Sequence, residues 1–246
     1  LIGRSGNPTL NEKTFANQGN YENQERMTIG GTVNKSFMAL ALLVGAAVIS
    51  WTMFANGYNM NPYLIGGVIG GAILALIISF VPTTAPFLTP IYAIAKGLFL
   101  GAISARFEAW QGGITLQAVL LTMCVFMGML LVYRLGLIKA TDGFRKGVIT
   151  ATAGVALVYL FSFILGFFGI TIPYLHESSL IGIGISVVII IIAALNFILD
   201  FNLIEEGAEQ GAPKYMEWYG AFGLLVTLVW LYIEIIRLLA KIANRD

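Results

Sequence analysis

Four ionisable side chains stand inside long apolar stretches of this sequence. Lys96 and Arg106 lie in "IYAIAKGLFLGAISARFE", Asp200 in "AALNFILDFNLI" and Glu234 in "LVWLYIEIIRLL". A charge among apolar residues is costly, so such groups pair, line a wet cavity or change protonation state. The chemistry on offer is that of an ion pair between opposite charges, or of an acid whose charge responds to its surroundings. A carboxyl in low dielectric titrates above its ordinary range, which brings mild pH changes within reach. Glu205, Glu206 and Glu209 follow Asp200 closely. A divalent cation such as Ca2+ prefers several hard oxygen ligands of this kind, so these acids are candidate ion ligands at the end of the span.

Catalytic groupings are missing. There is neither an HExxH pattern nor a glycine-rich phosphate loop. The single histidine, His176, sits in "IPYLHESS", which leaves little for a Ser–His dyad or a histidine metal site. We therefore expect no enzyme, no resident cofactor and no firm metal site.

The elements that must position these charges are membrane helices. Of 246 residues, 58% are hydrophobic and 11% charged, against about 25% charged in soluble domains. The chain lacks the polar residues to build a soluble surface, so an integral membrane protein is expected, with the lipid bilayer as its first partner. A formal net charge of +1 gives no electrostatic case for nucleic acid. Cys124, the lone cysteine, cannot form an internal disulfide and reads as a small buried hydrophobe.

A membrane helix needs roughly 20 mostly apolar residues. Charge-free runs predict spans at about 36–55, 62–81, 88–107, 114–134, 147–169, 179–202 and 217–239. "NGYNMNP" and "VPTTAPFLTP" break the long uncharged stretch by turn chemistry alone. An acidic loop is expected after Asp200. Such long runs exclude a β-barrel, whose strands are short and alternating. The predicted class is an all-α membrane protein with a seven-helix domain over 35–246. Residues 1–34 form a polar tail, too polar for a signal peptide, whose "NPTLNEKTF" could dock on the bundle.

Short-loop Lys/Arg residues set orientation. With the N-terminus inside, Arg26, Lys35, Arg134, Lys139, Arg145, Lys146 and Lys214 all fall on the inner side. Lys241 and Arg245 then lie outside and conflict with the rule. Depth suggests partners for the buried charges. At 1.5 Å per residue, Lys96 lies roughly 12 Å along its span from the inner end, near the level of Asp200. Arg106 and Glu234 lie roughly 27 and 25 Å along theirs. Two layers are predicted: Lys96 with Asp200, and Arg106 with Glu234. Snorkelling to the interface is the alternative for Lys96, Arg106 and Glu234, and a headgroup-level helix end is the alternative for Asp200. "GVIGGAILA" and "GIGIS" read as small-residue packing faces.

"ALNFILDFNLIEEGAEQGAPKYMEWYGAFGLLVTLVWLYIEIIRLL" resembles the C-terminal signature of the bacterial branch of the Bax inhibitor-1 family, as do "LFLGAISARFE" and "TDGFRKGVITATAGVALVYLFSFIL". The resemblance covers nearly everything after residue 30. It implies seven helices with the last in the middle, and a pH-sensitive calcium leak controlled by two acids, one in each of the last two helices. The first acid maps to Asp200. The second maps to Glu234 when "LYIE" is aligned, or to the position of Thr227 when "IIRLL" is aligned. Lys96 is the cation we expect to latch the first. The resemblance also brings a second function: a membrane regulator that binds another membrane protein, such as an ATP-dependent membrane protease. A bacterial inner membrane with a cytoplasmic N-terminus is the expected setting.

Overall fold

The computed structural model describes residues 26–169 and 177–245. Within them run seven helices: α1 Ile29–Ala55, α2 Asn61–Phe80, α3 Ala85–Trp110, α4 Ile114–Arg134, α5 Asp142–Phe167, α6 Leu180–Glu209 and α7 Met216–Ala243, with a short 3-10 turn at Pro82–Thr84. All seven are long and apolar enough to cross a membrane. Local chemistry explains their ends. Thr28, Thr141 and Ser179 cap α1, α5 and α6 by accepting a backbone N–H from the first turn. Gly136 and Gly211 follow the last residues of α4 and α6 at φ of 65° and 66°, the left-handed conformation that ends a helix and that glycine adopts without strain.

Two predicted boundaries move by seven residues, and the others by five or fewer. α1 begins at Ile29 rather than near residue 36, so residues 26–34 are not tail: Arg26 bridges Pro213, and the Met27 N–H donates to the Ala212 carbonyl at 2.7 Å. α6 runs on to Glu209, so Glu205, Glu206 and Glu209 are helical and not in a loop. Glutamate is a good helix former, and an apolar run marks only the part of a helix that lipid surrounds. Residues 1–25, including "NPTLNEKTF", and His176 lie outside the described residues.

α7 packs against α1, α3, α4 and α6, which makes the last helix the centre of the bundle. α2 lies on α3, and α5 on α6. An aromatic cluster fills the contacts: Tyr92 meets Phe222 edge-on at 5.1 Å, and Phe126 meets Phe197 at 5.1 Å. Cys124 is exposed on the outside of α4, not buried; an apolar run does not say which face of a helix meets lipid.

Small residues bring the helices together, as without water they must. Gly67 and Gly71 of "GVIGGAILA" lie against Phe99 and Lys96 of α3. In "GIGIS", Gly182 and Ser186 face inward, while Gly184 has open space around it. The tightest pair sits elsewhere, on α3: a Cβ at Gly97 or Gly101 would collide with the α1 carbonyls of Leu43 or Ala47. Backbone cannot step aside as a side chain can. Gly101→Ala is expected to cost about 1–3 kcal/mol, read as a lower melting temperature in detergent. Gly128→Ala, with nothing within 4 Å, should stay near wild type.

Candidate functional site

Asp200 faces two positions one turn apart on the central helix. The Thr227 hydroxyl donates to Asp200 Oδ2 at 2.6 Å, and a methyl at Gly223 would stand 3.6 Å from Oδ1. Among the described residues no lysine or arginine forms an ion pair with Asp200. A carboxylate deep in a membrane helix is thus served by a single neutral donor. The hydroxyl donates to a charged carboxylate and can turn to accept from a protonated one, but the charge-assisted form is the stronger, so the hold on α7 depends on the charge state.

The predicted Lys96–Asp200 pair is not formed. Lys96 Nζ lies 5.9 Å from the Tyr92 ring centre and 5.6 Å from that of Phe99, against Gly71 of α2. α3 and α6 both pack on α7 but hardly on each other, and Lys96 faces α2. Ring faces offer it cation–π attraction instead of a counter-ion.

The predicted Arg106–Glu234 pair is not formed either. Arg106 is exposed, and its Nη2 donates to Asn61 Oδ1 at 2.7 Å, at the start of α2. Its neighbour Phe107 lines the cavity beside Glu234, and one residue of helix turns a side chain about 100° around the axis. Glu234 is 2% exposed and takes the Tyr159 hydroxyl at 2.8 and 2.9 Å from its two oxygens, with Arg237 Nη1 at 3.4 Å. Seven residues separate it from Thr227, roughly 10 Å along α7. Asp200 and Glu234 are two stations, not a dyad; the residue opposite Asp200 is Thr227.

Beside Glu234 lies a cavity of about 330 Å³, lined also by Tyr159, Ser186, Arg237, Lys241 and Trp110. Lys241 is 9% exposed and donates to the Gly182 carbonyl at 2.9 Å and to Ser186 Oγ at 2.8 Å. Its charge therefore belongs to the interior of the bundle and not to a loop, which removes half of the conflict with the Lys/Arg rule. Arg245 stays exposed.

At the end where α1 begins, the structure holds an acid that sequence reasoning passed over. Glu217, fully buried in the first turn of α7, pairs with Lys35 of α1. It also accepts from the Thr28 N–H and hydroxyl, each at 2.9 Å, and has Lys214 at 3.5 Å. A Cβ on Gly31 would collide with the carboxylate, so α1 brings bare backbone to it. In the sequence Glu217 looks like any acid at a helix start, where the dipole favours one. The one available signal was Lys35, alone at the edge of an apolar run.

The three acids after Asp200 diverge. Glu205 accepts from the Tyr133 hydroxyl of α4, Glu206 pairs with Arg145 of α5, and Glu209 is exposed. Among the described residues no three His, Cys, Asp or Glu side chains come together to hold a metal. What the arrangement offers is a line of separate polar stations along α7: Glu217, then Asp200 with Thr227, then Glu234 with its cavity.

A family described as Bax inhibitor 1 like matches residues 7–244, nearly the whole chain. No curated protein and no solved structure matches it.

Proposed function

This chain belongs to the Bax inhibitor 1 like family, and from that premise we propose that it is a pH-sensitive leak for cations, calcium among them, closed by the carboxylate of Asp200. The observation that carries this reading is the Asp200–Thr227 contact between α6 and the central helix. A membrane-buried acid held by one hydroxyl and by no cation has two accessible charge states, and each favours a different packing of α7. The carboxyls disposed along α7 are hard ligands that a divalent cation could visit one at a time in passing. In this reading the chain sits in a bacterial inner membrane with α1 entering from the cytoplasm, supported by Arg134, Lys139, Arg145, Lys146 and Lys214 at that end.

One contact favours a second reading, a regulator of another membrane protein such as an ATP-dependent protease. Arg26 is bridged to Pro213 and Met27 to Ala212, so the described chain starts beside the α6–α7 turn, a place where a partner could reach that turn. Liposomes containing only this protein separate the two. The leak reading expects calcium entry that changes between about pH 5 and 8. Proteoliposomes as tight as empty vesicles throughout that range, together with copurification of a membrane partner through residues 1–28, would favour the regulator.

A further inference from the structure

α5 is the least buried of the seven helices; Val148 is its only buried residue. Its half-buried positions nevertheless form a stripe whose polar members include Arg145, Thr152 and Tyr159, spaced by seven, with Ser162 one turn beyond Tyr159. The three spaced by seven each meet a polar partner. Arg145 pairs with Glu206 at the end where α1 begins. One level on, Asn196 Nδ2 of α6 donates to Thr152 Oγ1 at 2.8 Å. At the far end Tyr159 donates to Glu234 of α7.

The α6–α7 contact repeats the pattern. Asp200 meets Thr227, and Ser186 meets Lys241. Asn196 lies one turn from Asp200 on α6, so the Thr152 level adjoins the Asp200 level. A seam of polar contacts thus follows the junction of α5, α6 and α7 from one end of the bundle to the other, and it opens into the cavity at Glu234. Between Thr227 and Glu234 on the same stripe of α7 stands Leu231, fully buried. The opposite side of the bundle is different in kind. There a groove of about 440 Å³ between α1 and α4 is lined mainly by Leu, Val and Ala.

We infer that the cation path of this protein is the α5–α6–α7 seam, with Thr152, Asn196 and Tyr159 as its lining, Leu231 as its closed point and α5 as the wall that yields. The inference rests on the leak reading above and deepens it. An ion leaving water needs replacement dipoles along its way, and among the described residues this junction supplies them at successive levels from Glu206 to Glu234, interrupted at Leu231. A wall packed mainly on one neighbour, α6, with its contact to α7 made through Tyr159, is also the one that can move with least loss of contact.

Cysteine substitution tests it in a Cys124→Ser background, in proteoliposomes passing calcium. Thr152→Cys should react with a cationic methanethiosulfonate, and the leak should fall at least fivefold. Ile149→Cys, on the lipid face of α5 (59% exposed), should keep its leak under the same reagent. Reaction at Thr122→Cys, in the α1–α4 groove, with Thr152→Cys unaffected, would overturn the inference and move the path to the groove. A Thr152→Cys protein that leaks normally and is indifferent to the reagent overturns it as well. If the unsubstituted protein passes no calcium, the leak reading itself fails, and the inference with it.

Discussion

Replacing Glu217 with Ala should unfold the protein about 6–20 °C earlier than wild type. The substitution takes from Lys35, whose side chain is 18% exposed, the one carboxylate that pairs with it among the described residues, and leaves the Thr28 N–H without its acceptor. Breaking a buried pair from one side typically costs about 3–5 kcal/mol, because the surviving charge is left without its partner in a largely dry site. In a chain of this length each kilocalorie moves Tm by about 2–4 °C. Thermal unfolding in detergent reads the effect directly. The paired change Glu217→Ala with Lys35→Met should recover much of the loss, since no orphan charge remains. A single Glu217→Ala variant within about 1 kcal/mol of wild type would mean that water screens this contact as it does a surface salt bridge.

The second large effect concerns the leak. Hydrogen bonds to a charged group contribute about 1.5–3 kcal/mol, which corresponds to roughly a ten- to hundredfold change in the ratio of two gate states. Asp200→Asn keeps an acceptor for Thr227 but removes the charge, so the leak should change by that order and lose its response to pH. Thr227→Val removes the donor instead, and the pH midpoint should move. Lys96→Met should leave the midpoint in place, because Lys96 faces α2 and lies outside ion-pairing reach of Asp200. Glu205→Gln should also change little, since Glu205 is exposed and serves Tyr133. A midpoint displaced by Lys96→Met would restore the latch that depth alone suggested.

That contrast shows where sequence reasoning succeeds and where it stops. The seven helices were legible because lipid demands long apolar runs, and their ends were misplaced where lipid no longer makes demands, at Ile29 and Glu209. Asp200 was legible because an acid in such a run has few innocent explanations. Its partner emerged only as one of two alignments, and the contact with Thr227 favours the alignment on "IIRLL". Lys96 and Arg106 were assigned by depth, which is one coordinate of three. Which helices adjoin, and which way each turns, follows from close packing at Gly97 and Gly101, and a periodic reading of charge does not reveal that. Glu217 was missed for the converse reason: at a span end, an acid has an ordinary explanation, and its burial depends on α1 folding over it.

In the proposed leak the charge of Asp200 controls a cation path. The deciding experiment is calcium flux into liposomes holding purified protein alone, followed from about pH 5 to 8 for wild type and Asp200→Asn at equal protein density. Wild type should show a leak that varies with pH, and Asp200→Asn a flat profile displaced roughly ten- to hundredfold. Two superimposable profiles would contradict this control and leave Asp200 as an acid that merely ties α6 to the central helix.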